Sequence, residues 1–477
     1  MGVNSPEPHA APSPRAGISL DWPQPSPPSA LAARRERLQR RHSATAVLAS
    51  GWPRARNFPL NQLPFRAESH FLYLVGQQLE GAALVIGPDR TVLYVTPPDP
   101  GDRLWHGPEP TAQDLSRLLG LEVRDIAELN ALPGAVTLPP QDPRAERWLV
   151  GLLGRELRAG GGELAERDAE LAEALIDLRL VHDPAAIEQM RQAARVTVTA
   201  HAAGMRETRA GQREARVSGV MQAVIAGAGM NLAYAPIVTV EGQVLHARRH
   251  DRIMGEADLL LVDVGAETPE GWAADVTRTW PVSGRFSPTQ RDLYEAVAHA
   301  QAAALSVVRP GARYSDVHAA SQRALASCLV DLGILRGSLD ALLECHAVAL
   351  FYPHGVGHLL GLDVHDMEDL GDRAGYAPGR RRQVDPSRRF LRLDRDLGAG
   401  MVVTIEPGFY QIPDLLAAGP DSPPHACIDR ERLAQFADVR GIRIEDDVLV
   451  TDSGYELLSE ALPRSASGVE ALCQASR

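Results

Sequence analysis

Lysine is absent from all 477 positions, so each of the 49 basic side chains is an arginine. That absence excludes Schiff-base chemistry and any step that needs a lysine amine as nucleophile. Cysteine is scarce: Cys328, Cys345, Cys427 and Cys473 are scattered, with no C-x-x-C pair. Such usage suits a reducing compartment better than a disulfide-stapled secreted fold. Long apolar runs are missing, and none approaches the ~18 residues of a membrane helix. The opening stretch, MGVNSPEPHAAPSPRAG, lacks the apolar segment of a secretory signal. Positive charge is in deficit, 49 Arg against 61 Asp and Glu giving a net −12. This argues against nucleic acid or an anionic membrane as the main partner. A cytoplasmic protein is expected.

What is present points to a globular chain of two or three domains, with 44% hydrophobic and 23% charged residues. Residues 1–28 are rich in Pro, Ser and Ala and are expected to be a disordered leader. An N-terminal α/β domain is expected over 29–182. In it ARRERLQRR reads as a short basic helix, and AALVIGP and TVLYVTP read as strands around a turn at Pro88, Asp89 and Arg90. A helical stretch near 144–180 closes it. Asp183 followed by Pro184 marks a helix start, with Ile187, Met190, Ala194 and Val198 on its buried face. A second domain is expected over 183–462, alternating long helices with apolar strands, and then a tail over 463–477.

The stretch FYPHGVGHLLGLDVHD brings His354, His358 and His365 together. An H-x-x-x-H helix is a poor reading, because Gly355, Gly357 and Gly361 each cost about 1 kcal/mol in a helix interior. The partners come from elsewhere. Asp263 lies in the apolar run LLLVDVG and Asp275 in WAADVTRTW, which predicts a hairpin of Leu259–Glu267 and Trp272–Val282 around TPEG. Such a hairpin brings the two carboxylates within about 5 Å. Glu406 in MVVTIEPG and Glu445 in RGIRIEDDVLV repeat the theme. Buried acids repel unless a cation or proton lies between them, and four leave about −4 of charge to neutralise. Two divalent cations with oxygen ligands and one imidazole meet that need, manganese first, with zinc or cobalt compatible. Taken singly, each acid reads as salt-bridged, with Arg278 and Arg443 as available partners.

In order and in wording these segments resemble the aminopeptidase P and prolidase family of pita-bread metallopeptidases. The likeness rests on LLLVDVGAE…ADVTRTWPVSGRFS, FYPHGVGHLLGLDVHD, GMVVTIEPGFY and GIRIEDDVLVTDSG, and less specifically on LPFRAESHFLYLVG and DRLWHG. It implies an α/β (α+β) fold, with a small creatinase-like α/β domain preceding a pita-bread catalytic domain. It implies Asp263, Asp275, His358, Glu406 and Glu445 as ligands of two metal ions, and Glu406 as proton shuttle. His246, His354 and His365 become substrate-side histidines, and Arg392 and Arg443 substrate-binding arginines. The two aspartates are twelve apart where the family usually has eleven, an extra residue that the TPEG turn absorbs. The implied reaction is hydrolysis of the bond between an N-terminal residue and a following proline, by a homo-oligomer (dimer or tetramer). The insertion LGDRAGYAPGRRRQVDPSRRFLRLDRDLGAG, with Arg392, matches the dipeptidase branch, where an arginine at that position holds a dipeptide's carboxylate. An aminopeptidase is expected, with an Xaa-Pro dipeptidase as the alternative and a non-catalytic peptide-binding relative as the remote one.

Overall fold

The two apolar runs around Pro88 form antiparallel strands, as their alternation and turn residues require. A computed structural model describes residues 22–99, 101, 103–158, 163–417 and 422–475. Helix α1 (Pro28–Arg41) leads into a sheet of β1 (Ala46–Ala49), β2 (Ala83–Ile86), β3 (Thr91–Val95) and β4 (Glu122–Asp125), in that spatial order. Val85 pairs with Val92, and β4 runs parallel to β3. Helix α2 (Ser69–Val75) starts where the Glu68 carboxylate accepts the His70 and Phe71 amides, and ends at Gly76 with φ 66°. Its residues Phe71, Leu72, Leu74 and Val75 are buried in the core. The stretch expected near 144–180 is two helices, α3 (Pro143–Leu153) and α4 (Glu166–Arg179).

Helix α5 (Pro184–Glu207) begins as read, with Asp183 accepting the Ala186 amide. Met190 and Ala194 are fully buried, while Ile187 and Val198 pack at the core's edge. Asp183 also takes a bidentate contact from buried Arg34 of α1, at 2.7 and 2.9 Å, which ties the first helix to the start of the second half. After α6 (Glu214–Gly227), strands β5 (Ile237–Thr239), β6 (Leu259–Asp263) and β7 (Thr277–Pro281) form an antiparallel sheet with β6 in the middle. The long helices α7 (Pro288–Val307) and α8 (Tyr314–Asp331) follow. Strands β8 (Val402–Ile405), β9 (Gly408–Tyr410), β10 (Gly441–Arg443), β11 (Asp446–Val450) and β12 (Tyr455–Leu457) complete the half. There β8 pairs with β11, and β9 with β10.

Both expected ends differ from the reading. Residues 1–21 lie outside the described residues, but the described end of the leader is docked. Ser26 donates its amide and hydroxyl to Glu270 at 2.5 and 2.6 Å, and Gln189 donates to the Gln24 carbonyl at 2.6 Å. The expected tail contains helix α9 (Ala466–Gln474), whose Ala466, Val469 and Cys473 are buried. Those residues recur at helical spacing, and Glu470 holds Arg291 of α7 at 2.7 Å. Among the described residues no helix is long and apolar enough to cross a membrane.

Candidate active site

The hairpin of the two aspartates forms around a tight loop. Thr268 and Trp272 close it, and Gly271 takes φ 93°, a backbone state that favours glycine. Asp263 faces Thr277 directly, not Asp275. Asp275 is two residues before Thr277, so the two carboxylates are diagonal neighbours on one face. Opposite Asp275 stands Gly265, where a Cβ would lie 1.8 Å from the Ala274 carbonyl, so only glycine lets the strands close there. Tyr234 completes this corner, with its hydroxyl 2.5 Å from Asp263 and 2.6 Å from Asp275. One hydroxyl has one proton to donate, so the second contact needs a proton or a cation on a carboxylate.

His358 comes from an irregular loop, as its glycines demand. At Gly357 a Cβ would meet the Thr404 carbonyl of β8 at 2.1 Å, and φ there is 156°. Its amide and that of Thr404 tie the loop to β8. The His358 Nδ1 donates to the Leu359 carbonyl at 2.9 Å, which leaves the Nε2 lone pair facing the acids. That Nε2 is 3.3 Å from Asp275 and 3.7 Å from Glu406. Donor atoms of Asp275, His358 and Glu445 all lie within 4.8 Å of one another. Glu406 follows β8, and Glu445 lies between β10 and β11, where its amide bonds the Thr277 carbonyl at 3.0 Å.

These acids are short of compensating charge. Burial, with Asp263 next, pushes Asp275 up to about 8. Burial likewise lifts Glu406 to about 7 and Glu445 well above the carboxylate range. Carboxylates in this condition take up either protons or metal ions. Their oxygens, with one imidazole nitrogen, form a donor set suited to divalent ions. Asp263, Asp275, His358, Glu406 and Glu445 thus lie close together at one buried place.

Arg443 had two readings, as a substrate-binding arginine and as an ion-pair partner of the acids; its side chain is 5% exposed and each of its three guanidinium nitrogens bonds within the protein, which fits the second. Nη2 donates to Asp263 at 2.6 Å, Nε to the Thr277 hydroxyl at 3.1 Å and Nη1 to the Tyr410 hydroxyl at 3.2 Å. Its place on β10, beside β7, makes it the fixed counter-charge of Asp263. The Thr277 hydroxyl passes its own proton to Glu445 at 2.6 Å. Arg278 points elsewhere, pairing with Asp446 in full burial.

The remaining candidates ring this cluster. His354 is held between the Gly355 carbonyl and the Tyr410 hydroxyl, both at 2.8 Å, and burial lowers it to about 3. His365 stacks edge-on against His358 with ring centres 4.3 Å apart, and its Nδ1 lies 3.4 Å from Glu368. His246 is in an exposed loop, within reach of the charges on Arg443, Asp263 and Arg392. Arg392 contacts Glu368 at 2.6 Å. Tyr234, Thr277, Tyr410 and Glu368 escaped the sequence reading. Only Glu368 carried a signal there, its three-residue spacing from His365.

Residues 188–452 match the metallopeptidase family M24, and residues 31–142 match the aminopeptidase P N-terminal domain. The chain is 33% identical over 428 residues to Xaa-Pro aminopeptidase 2 of Streptomyces coelicolor, covering 86% of this chain and 83% of that protein. It is 35% identical over 306 residues to the Xaa-Pro dipeptidase of Rattus norvegicus, covering 62% of this chain and 61% of that one. The solved Pseudomonas aeruginosa aminopeptidase PepP superposes with a TM-score of 0.78 at 29% identity, covering 95% of this chain and 99% of that chain. Zinc-substituted E. coli aminopeptidase P in complex with product gives 0.77 at 28% identity, with 95% and 100% covered. The small α/β domain followed by a pita-bread domain agrees with these structures. The chain belongs to the metallopeptidase family M24.

Proposed function

We propose that the protein is a metal-dependent Xaa-Pro aminopeptidase, releasing the N-terminal residue of peptides with proline in second position. The observation that carries this is the buried cluster of Asp263, Asp275, His358, Glu406 and Glu445, with Tyr234 shared between two of its acids. These five would hold two divalent ions, manganese in our reading. Such ions supply an acidified water as nucleophile and polarise the scissile carbonyl.

The chain's own residues do the rest. Arg443 and Tyr234 fix Asp263, and Thr277 fixes Glu445, so the acids cannot splay apart. Glu406, raised towards neutrality, is suited to take and return a proton. His365 has Nδ1 turned to the Glu368 carboxylate, so Nε2 offers a lone pair that can take a proton and, once protonated, donate it to the developing negative charge of the substrate. The acidic surroundings favour a free α-ammonium group at the substrate's first residue, the basis of exopeptidase action. Cytoplasmic residence is our reading from four scattered cysteines with no C-x-x-C pair. Self-association is supported by Leu104 and Trp105, adjacent and 83% and 76% exposed.

The test is a panel of Ala-Pro-Ala, its N-acetylated form and Ala-Ala-Ala, with the protein loaded with manganese, zinc or cobalt. Only unblocked Ala-Pro-Ala is expected to release alanine. Equal cleavage of Ala-Ala-Ala, or none of any peptide, would refute the proposal.

A further inference from the structure

Next to His358 a cavity of about 90 Å³ is lined in part by Arg392, Glu368, Arg382 and Asp372. It holds two guanidinium groups, and both are engaged. Arg392 Nη1 meets the Glu368 carboxylate at 2.6 Å, and Arg382 grips Asp372 through two donors at 2.6 and 3.3 Å. The wall is therefore charge-balanced. Chain geometry delivers Glu368 to this place: buried Met367 takes a left-handed φ of 60°, uncommon outside glycine, and the 3-10 turn of Glu368–Leu370 follows. Burial would raise the Glu368 carboxyl, yet His365 and Arg392 hold it down at about 2.

We propose that Glu368 is a specificity-determining residue: by occupying Arg392 it denies that guanidinium to the carboxylate of a dipeptide and turns the site towards longer peptides. The inference rests on the Xaa-Pro peptidase reading above. In a dipeptide the proline carries a free carboxylate, which must share the charge of Arg392 with the Glu368 carboxylate already on Nη1. In a tripeptide the same position is a neutral amide, which asks for no exchange. Two carboxylates competing for one guanidinium cancel most of the gain from a charge-assisted contact. Arg382 cannot substitute, because Asp372 takes Nε and Nη2 and the Leu391 carbonyl takes Nη1.

The experiment compares kcat/KM for Ala-Pro and Ala-Pro-Ala in the wild type, Glu368→Gln, Arg392→Ala and the double variant, all metal-loaded. Glu368 also touches His365, so Glu368→Gln is expected to lower turnover of both peptides, and that shared loss cancels in their ratio. The ratio of Ala-Pro to Ala-Pro-Ala is expected to rise at least about tenfold in Glu368→Gln. It should return to the wild-type value when Arg392→Ala is added. An unmoved ratio, or a rise that survives loss of Arg392, overturns the role of Glu368. Glu368→Ala gives the same reading should the glutamine variant not fold. Wild type that cleaves neither peptide refutes the peptidase reading itself, whereas cleavage with an unmoved ratio refutes only this inference.

Discussion

Replacing Arg443 with methionine keeps much of the side chain's volume and removes its charge from one of the most buried points of the site. Asp263 then loses its 2.6 Å partner, and the hydroxyls of Thr277 and Tyr410 each lose a donor. Breaking one side of a buried pair costs roughly 3–5 kcal/mol, because the surviving charge is stranded. In metal-free protein, spread over the unfolding entropy of 477 residues, that corresponds to a drop of roughly 3–5 °C in melting temperature. A bound divalent ion supplies positive charge to the same carboxylate, so the drop should shrink by at least half once manganese is added. The assay is thermal unfolding of wild type and Arg443→Met, each stripped by chelator and each reloaded. Equal drops with and without metal would refute the view that Arg443 and the metal compensate one charge. A raised KM with unchanged melting would favour the substrate-binding role instead.

The histidines should separate in one experiment: His358→Ala is expected to lower both metal content and rate. By contrast, His365→Ala should keep its metal and lose about 10²-fold in kcat; the reverse assignment of metal loss would contradict the site. In metal-loaded protein, whose acid cluster is neutralised by ions rather than by protons, stability should fall on acidification. Burial holds His182, His201 and His318 each at about 4, and the second ring nitrogen of each has no partner among the described residues. The unfolded chain, titrating near 6.5, binds more protons below that value, so this stability is complete above pH ~6.5 and is lost as pH falls towards ~4. The slope from the three reaches about 4 kcal/mol per pH unit at most. Urea midpoints at pH 7.5, 6 and 5 check it, and a constant midpoint would contradict it.

The aspartates were legible because a carboxylate inside LLLVDVG breaks an apolar alternation, and breaks of that kind have few physical explanations. Their mutual register was not legible. The sequence shows twelve residues of separation, but only the three-residue loop closed by Gly271 places Asp275 diagonal to Asp263. The glycines of GVGHLLG excluded a helix, and the His358 loop is irregular for that reason. Arg443 was left between substrate binding and ion pairing, because sequence cannot say whether a strand-borne arginine faces the site or supports it. Burial decided that. Glu368 and Tyr234 are polar residues outside regular alternation, and their roles depend on contacts with residues 24, 29 and 41 positions away. Helix α9 was missed because nine residues present too few turns for a convincing period, and its packing on α5 and α7 supplies most of its stability.

Metal binding by the acid cluster is read most directly by titrating chelator-stripped protein with manganese while following ions bound per chain and release of alanine from Ala-Pro-Ala. Activity is expected to be absent without metal and to reach its plateau at about two ions per chain. Asp275→Asn and Glu445→Gln, folded by circular dichroism, should each bind less metal and fail to recover activity. Full hydrolysis by stripped protein, or full activity with stoichiometric metal in either variant, would contradict the assignment of these carboxylates.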